Sequence, residues 1–243
     1  GAADFRTSYP KNLVAVPKSQ GVSAGYLRPS EGVEAFAVGV GEDRGGVNWN
    51  GVMYRVSGNQ LVRVDADSTV TQLGLISGVN TATLDYSFDR LIIAGGGNLY
   101  YYDTGTGLTQ VTDPDLGPAL DALWVDGFTM TTDGTSLVVT ELNDPYAVNP
   151  LKYGSSEVDP DPVVALLKVR NEVHALNRYT TEAFDNVGGT GFPFQRIDGA
   201  QIQRGAVGVQ TCCLFVDQLA FMGSGRNEAI SVYVGGGGQS MPI

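Results

Sequence analysis

The sequence predicts an all-β fold: a β-propeller of about five four-stranded antiparallel repeats, either five-bladed or truncated from a larger propeller, with an extended N-terminal arm. Three observations predict it. Two apolar strands joined by a tight turn, then one or two more strands, recur about every 40 residues, which is the period of a propeller blade. Glycine is abundant, at 33 residues, as a chain of many hairpins requires, because it takes the positive-φ positions of tight turns. Apolar residues alternate at period two in many segments, and no segment carries a strong helical spacing.

Residues 1–31 fall outside the repeat. They hold Pro10, Pro17 and Pro29 with small polar residues between, and read as an extended arm packed along a surface. The organisation expected is therefore an arm, 1–31, and one repeat domain, 32–243. VEAFAVGV (Val33 to Val40) is apolar enough for a strand that completes a blade.

The first repeat, Asn50 to Asp65, turns at Asn50-Gly51 and Gly58-Asn59. The second, Asp89 to Asp103, turns at Asp89-Arg90 and Gly97-Asn98. The third, Ala122 to Leu142, has Asp126-Gly127 and Asp133-Gly134, the dipeptide of a type I′ hairpin. The fourth runs from Val164 to Asn186 and the fifth from Cys212 to Val234. Between the third and fourth lies Asn143 to Pro162, with four prolines and several acids. It reads as a surface loop longer than a hairpin needs, hence a place for contacts, with Tyr146, Tyr153, Glu157, Asp159 and Asp161 as candidates.

A length of 243 residues supports one all-β domain with a sizeable core. The net charge of −11 disfavours general nucleic-acid binding, because phosphate contacts need Lys and Arg. An acidic surface still suits a channel through which DNA slides; solubility is the plainer reading. No apolar run is long enough for a membrane span, and no secretory signal is visible. The first residue, Gly1, says nothing about targeting. Cys212 and Cys213 are adjacent, so on a strand one points into the core and the other toward the next blade. Two cysteines are too few for a disulfide framework, which fits a reducing compartment.

No catalytic constellation emerges. The sialidase and WD boxes are missing, and the lone histidine, His174, lies in a strand pattern and reads as a packed or surface side chain. No histidine pair or Cys-x-x-Cys offers zinc ligands. The acids Asp65-Asp67, Asp113-Asp115 and Glu157-Asp159-Asp161 fit no calcium motif and read as solvated turns. AGGGN and VGGGGQ are not followed by the Lys-Ser/Thr of a phosphate loop. Tyr100, Tyr101 and Tyr102 alternate faces and read as core packing, with base stacking as the other option. No catalytic residue, cofactor or metal is expected.

Several segments, in order, resemble the phage stabilisation protein family, the packaged-DNA-stabilisation or tail hub proteins of short-tailed phages. They are DFR (Asp4, Phe5, Arg6), NLVAVPK (Asn12 to Lys18), GYLRPSEGV with Tyr26 and Arg28, and VMYRVSGNQL (Val52 to Leu61). DGTSLVVTELNDP (Asp133 to Pro145), NEVHALNRYTTEAF (Asn171 to Phe184) and SVYVGGGGQSMPI (Ser231 to Ile243) continue the series. The resemblance implies a non-enzymatic virion tail protein, made in the bacterial cytoplasm from a phage or prophage gene. It implies a homo-oligomeric ring, a hexamer in the full-length protein, below the portal and its adaptor. That ring plugs the channel, retains packaged DNA and contacts the tail needle or tailspikes. Family members are longer, and the resemblance covers their N-terminal half; the remainder is expected to hold further blades or a C-terminal β-domain. On this reading the arm, with Asp4, Phe5, Arg6, Tyr26 and Arg28, clasps a neighbour or the adaptor. The acidic loop lies at a ring contact, and acidic walls let DNA pass without sequence-specific binding. The alternatives are a propeller enzyme of glycosidase or lactonase type, and a protein-binding propeller without a viral role.

Overall fold

The computed structural model describes residues 11–21, 25–142 and 144–243. Internal contacts divide the chain into two units, Gly1–Val38 and Gly39–Ile243. The first contains an antiparallel hairpin of β1 (Leu13–Pro17) and β2 (Gly25–Pro29), closed by Ser30 N–H donating to the Asn12 carbonyl at 2.8 Å.

The second unit is five antiparallel sheets in chain order. Sheet one is β3 (Asp43–Trp49), β4 (Val52–Ser57), β5 (Gln60–Val64) and β6 (Val70–Leu75). Sheet two is β7 (Thr83–Tyr86), β8 (Leu91–Gly95), β9 (Asn98–Asp103) and β10 (Gly107–Gln110). Sheet three is β11 (Asp121–Val125), β12 (Phe128–Thr132), β13 (Ser136–Glu141) and β14 (Asp144–Val148), with β15 (Gly154–Ser155) also paired to β13. Sheet four is β16 (Val163–Val169), β17 (Glu172–Asn177), β18 (Thr181–Asn186) and β19 (Phe194–Arg196). Sheet five is β20 (Gly205–Ala206), β21 (Cys212–Phe215), β22 (Gln218–Ser224), β23 (Ser231–Gly236) and β24 (Gln239–Pro242). The edge strands β3, β7, β11, β16 and β21 pack against one another in succession, as the innermost strands of propeller blades do.

The turns follow from local chemistry. Asn50-Gly51 joins β3 to β4 with φ of 53° and 78°, and Asp126-Gly127 joins β11 to β12 with φ of 50° and 89°. Both pairs carry the two positive φ values of a type I′ turn, whose twist matches the strands it connects. In the second repeat the two-residue turn is Gly96-Gly97, one residue earlier than the sequence suggests.

Four apolar clusters join consecutive sheets. Tyr54, Leu61, Leu91 and Ile93 pack between sheets one and two. Ile92, Tyr101, Ala122 and Val138 pack between two and three. Met130, Leu137, Val173 and Phe184 pack between three and four, and Leu176, Leu219, Phe221 and Tyr233 between four and five. Alternation explains the composition. Successive residues point to opposite faces, so a sheet packed on both faces must be apolar throughout, as β8 (Leu91, Ile92, Ile93) is. Tyr100, Tyr101 and Tyr102 are all buried, the outer two toward sheet one and Tyr101 toward sheet three. Each fully buried leucine or isoleucine contributes roughly 2 kcal/mol relative to an exposed one.

Two expectations fail. Val33–Val40 forms no strand; Val33, Phe36 and Val38 are exposed. Downstream of that stretch the chain is held by a side chain: Gly41 N–H donates to Ser57 Oγ at 3.1 Å, where a ladder would need a backbone partner. The acidic segment before sheet four is only partly loop. Asp144–Val148 and Gly154–Ser155 both pair with β13, because its outer edge still had free backbone groups, and a short 3₁₀ turn (Pro150–Lys152) links them.

Candidate interaction surfaces

Asp4, Phe5 and Arg6 lie outside the described residues. In the hairpin, Tyr26 is exposed on β2 beneath Lys18, whose Nζ sits 5.3 Å from the ring centroid. Arg28 pairs with Glu31 at 3.4 Å, also exposed. Exposed pairs of this kind contribute little to stability, so the hairpin presents an aromatic and a cation to solvent.

The acidic segment is pinned to the sheets around it. The Tyr146 ring meets Tyr101 edge-on, with centroids 5.3 Å apart. Tyr153 donates its hydroxyl to the Asp115 carbonyl. Asp159 receives both Arg226 Nε at 3.0 Å and Nη2 at 2.7 Å. The two guanidinium groups of Arg178 and Arg226 lie 4.5 and 5.0 Å from the Tyr179 ring. Asp161 accepts from the backbone N–H groups of Tyr179 and Thr180, and Val158 N–H donates to Glu182 Oε1 at 2.9 Å. Arg226 beside it holds the Asp159 carboxyl below the ordinary carboxylate range. Glu157 is exposed, and with Ser156, Asp159, Asp161, Gly134 and Thr135 it lines an open hollow of about 520 Å³. Of its three acids, Asp159 is already paired with Arg226 and Asp161 already accepts backbone N–H groups, which leaves Glu157 as the exposed carboxylate of the hollow.

The remaining acidic turns are internally satisfied. Asp67 Oδ1 accepts Thr69 N–H at 3.0 Å. Asp113 accepts Asp115 N–H at 2.9 Å and Val148 N–H at 3.0 Å, which ties β14 to the turn before sheet three. Among the described residues no three His, Cys, Asp or Glu side chains converge as metal ligands.

Along the innermost strands the sheets are joined by side-chain-to-backbone bonds. Asp85 Oδ2 accepts Trp124 N–H at 2.7 Å, and Asp121 Oδ2 accepts Leu166 N–H at 2.7 Å. Lys168 Nζ donates to the Trp124 carbonyl at 2.6 Å while lying over its ring. Burial pushes the Asp121 carboxyl up to about 6, against the pull of its hydrogen bonds. Between sheets one and five, Gln210 Nε2 donates to the Arg44 carbonyl at 3.1 Å.

His174 is buried on the sheet-five side of sheet four, 3.6 Å from Glu172. Burial alone pushes it down to about 4, so it is neutral at pH 7. Cys212 packs into the cluster between sheets four and five, where burial pushes its thiol up to about 12, while Cys213 is exposed on the opposite face. No disulfide joins them.

The sequence reading found the acidic segment but missed what holds it, because Arg226 lies 67 residues from Asp159. It also missed Asp85 and Asp121. Here a signal existed: an acid inside an apolar strand has to find donors when it is buried.

A model of the phage stabilisation family, described as Bacteriophage P22 Gp10, beta-propeller, matches residues 1–243. The tail hub protein gp10 of Salmonella phage P22 is 27% identical over 263 residues, covering 99% of this chain and 54% of the relative. The chain thus spans about half the length of the curated relative it matches. Among solved structures, the extracellular domain of a one-component system from B. thetaiotaomicron superposes with a TM-score of 0.53 at 13% identity. That match covers 83% of this chain and 27% of the other. PorZ, a surface component of the type-IX secretion system of Porphyromonas gingivalis, gives 0.52 at 15% identity, over 80% of this chain and 26% of its own. At these identities the structural likeness concerns the fold.

Proposed function

The chain belongs to the phage stabilisation family, and from that premise we propose that it is a structural component of a phage tail hub. The observation that carries the reading is the colinear similarity of 99% of the chain to a tail hub protein. In this role the propeller is a scaffold, and its work is contact with other virion proteins; no catalytic step is assigned.

The finer reading follows the same line. The protein forms part of a homo-oligomeric ring, a hexamer, beneath the portal and its adaptor. The ring helps close the channel, retains packaged DNA and bears on the tail needle or tailspikes. The arm, with Tyr26 and Arg28 exposed, clasps a neighbouring subunit or the adaptor. The acidic hollow around Glu157 receives a basic segment of a partner. A net charge of −11 supports a channel wall that lets duplex DNA pass without holding it.

Mass spectrometry of purified particles from the host that carries the gene tests this reading. The expected result is the protein at a few copies per portal ring. Its absence from intact, DNA-filled particles would overturn the tail role.

A further inference from the structure

At one end of the interface between sheets four and five the apolar packing stops short. Phe221 and Tyr233 stack within it, with ring centroids 5.7 Å apart. Gly235 lies two residues farther along β23 on the same face and has no side chain to continue the layer. A Cβ at that position would clash with the Gln239 carbonyl, so the β23–β24 turn keeps it bare. The result is a hollow of about 270 Å³, floored by His174, Val169 and Leu219, all buried.

The polar groups of this hollow are of both kinds. The buried His174 ring has no hydrogen-bond partner at Nδ1. Its Nε2 lies 3.6 Å from Glu172 Oε2, beyond direct hydrogen-bond reach. The ring is neutral at pH 7, so it carries one N–H. That proton belongs on Nε2, which faces an acceptor, and not on Nδ1, which faces none. Glu172 is half exposed beside it, and the largely exposed Arg170 and Asp217 stand at the mouth, 3.9 Å apart. Gln218 adds an amide that both donates and accepts.

This mixture selects among ligands. An anion would meet the carboxylates of Glu172 and Asp217, and a cation would meet the Nε2 hydrogen of His174 and the Arg170 guanidinium. An apolar group would leave the polar groups dry and unpaired. A hydroxyl accepts from Nε2–H and donates to Glu172 at once, bridging a gap that the two side chains do not close themselves. Further hydroxyls around a ring match the rest of the rim, and Val169 and Leu219 offer an apolar floor to the ring's C–H face. The volume lies just under the range of roughly 300–1,000 Å³ usual for small-molecule pockets, which suits one ring and not a chain of them.

We propose that this hollow is a saccharide-binding site, which takes one pyranose unit with a hydroxyl set between His174 Nε2 and the Glu172 carboxylate. The proposal rests on the geometry of the hollow and is independent of a role in a tail.

His174 is the only histidine in the sequence, so its imidazole gives a single set of NMR signals. Nitrogen-resolved spectra at pH 7 read its tautomer and its response to ligand. The 243-residue protein is titrated with glucose, galactose, mannose, rhamnose and N-acetylglucosamine, with inorganic phosphate and free arginine as charged comparisons. The proton is expected on Nε2, and at least one sugar is expected to shift the imidazole signals with a Kd of about 1 mM. Glu172→Gln, at a half-exposed position, is expected to leave the urea midpoint unchanged and to weaken that binding about 10-fold. Gln218→Ala, on the exposed rim, is expected to weaken it about 3-fold. A proton on Nδ1 would overturn the proposal, as would imidazole signals that no sugar moves, or a sugar response that survives both substitutions. A stronger response to phosphate or arginine than to every sugar would assign the hollow to a charged ligand and overturn it as well.

Discussion

The carboxylate of Asp121, on the innermost strand of sheet three, accepts the backbone N–H of Leu166, on the innermost strand of sheet four, at 2.7 Å. One sheet earlier, Asp85 holds the N–H of Trp124 at the same distance. Apolar packing between sheets is non-directional and fixes no register along the strand. A carboxylate on one strand that engages a particular amide on the next supplies that register where the blades converge.

The cost of this device is visible in its titration. Burial raises the Asp121 carboxyl from 3.8 to about 6. The folded chain therefore binds a proton that the unfolded chain releases between those values. Stability contributed by the group is present at low pH and is lost as pH rises through about 4 to 6, by about 3 kcal/mol. Asp121→Asn keeps the shape and cannot ionise, so its urea midpoint should lack this decline. Asp121→Ala leaves the Leu166 N–H unpaired and should cost about 1–3 kcal/mol at every pH. Denaturation at about pH 4.5 and 7 measures both; an Asp121→Asn variant with the parent's slope would refute the assignment.

His174 titrates in the same range with the opposite sign. Burial lowers it from 6.5 to about 4, so the folded state keeps it neutral while the unfolded state takes up a proton. Its contribution is complete above about 6.5 and is lost as pH falls toward 4, again by about 3 kcal/mol. The two groups offset each other in the parent. His174→Leu, beside Leu176 and Leu219, should therefore become more stable on acidification, and Asp121→Asn should become less so. Parallel pH profiles for the two variants would show that neither group carries the effect.

The strands were legible because their signals are local. Asn50-Gly51 and Asp126-Gly127 flank apolar runs, and the turn conformation depends on those residues alone. The errors came where pairing is decided from outside. Val33–Val40 has strand composition but no ladder partner, whereas Asp144–Val148, with Pro145 in it, lies on the outer edge of β13 and forms a strand. The acids near Pro160 were found as a cluster, but the role of Asp159 as a tether depends on Arg226 and Tyr179, both distant in the chain.

Arg44 exposes only 4% of its surface, and its partners among the described residues are backbone carbonyls. Its guanidinium donates to the carbonyls of Asn80 at 2.6 Å, Ser77 at 2.8 Å and Gly58 at 3.0 Å. It thereby ties β3 to the β4–β5 turn and to the segment that leads into β7. Arg44→Met should strand those acceptors and cost about 3 kcal/mol or more. Arg44→Lys keeps the charge but not the planar fork, and should recover only part of the loss. Chemical denaturation reads both, and a neutral Arg44→Met would show that water satisfies the carbonyls as well as the guanidinium does.

Arg226 offers the opposite case, a tether with little global weight. It is half exposed, so its pair with Asp159 is screened by solvent and should contribute little to overall stability. Locally the pair matters more, because it fixes the acidic segment against the Tyr179 ring and so shapes the hollow beside Glu157. Arg226→Ala should leave the unfolding midpoint nearly unchanged while hydrogen exchange at Val158 and Asp161 accelerates about 10-fold, since local opening no longer breaks the ion pair. A partner that docks in the hollow would then have to order the segment itself, and its affinity should fall while its binding position stays the same. Unchanged exchange at those two amides would mean that the Asp161 bonds to Tyr179 and Thr180 hold the segment without help from Arg226.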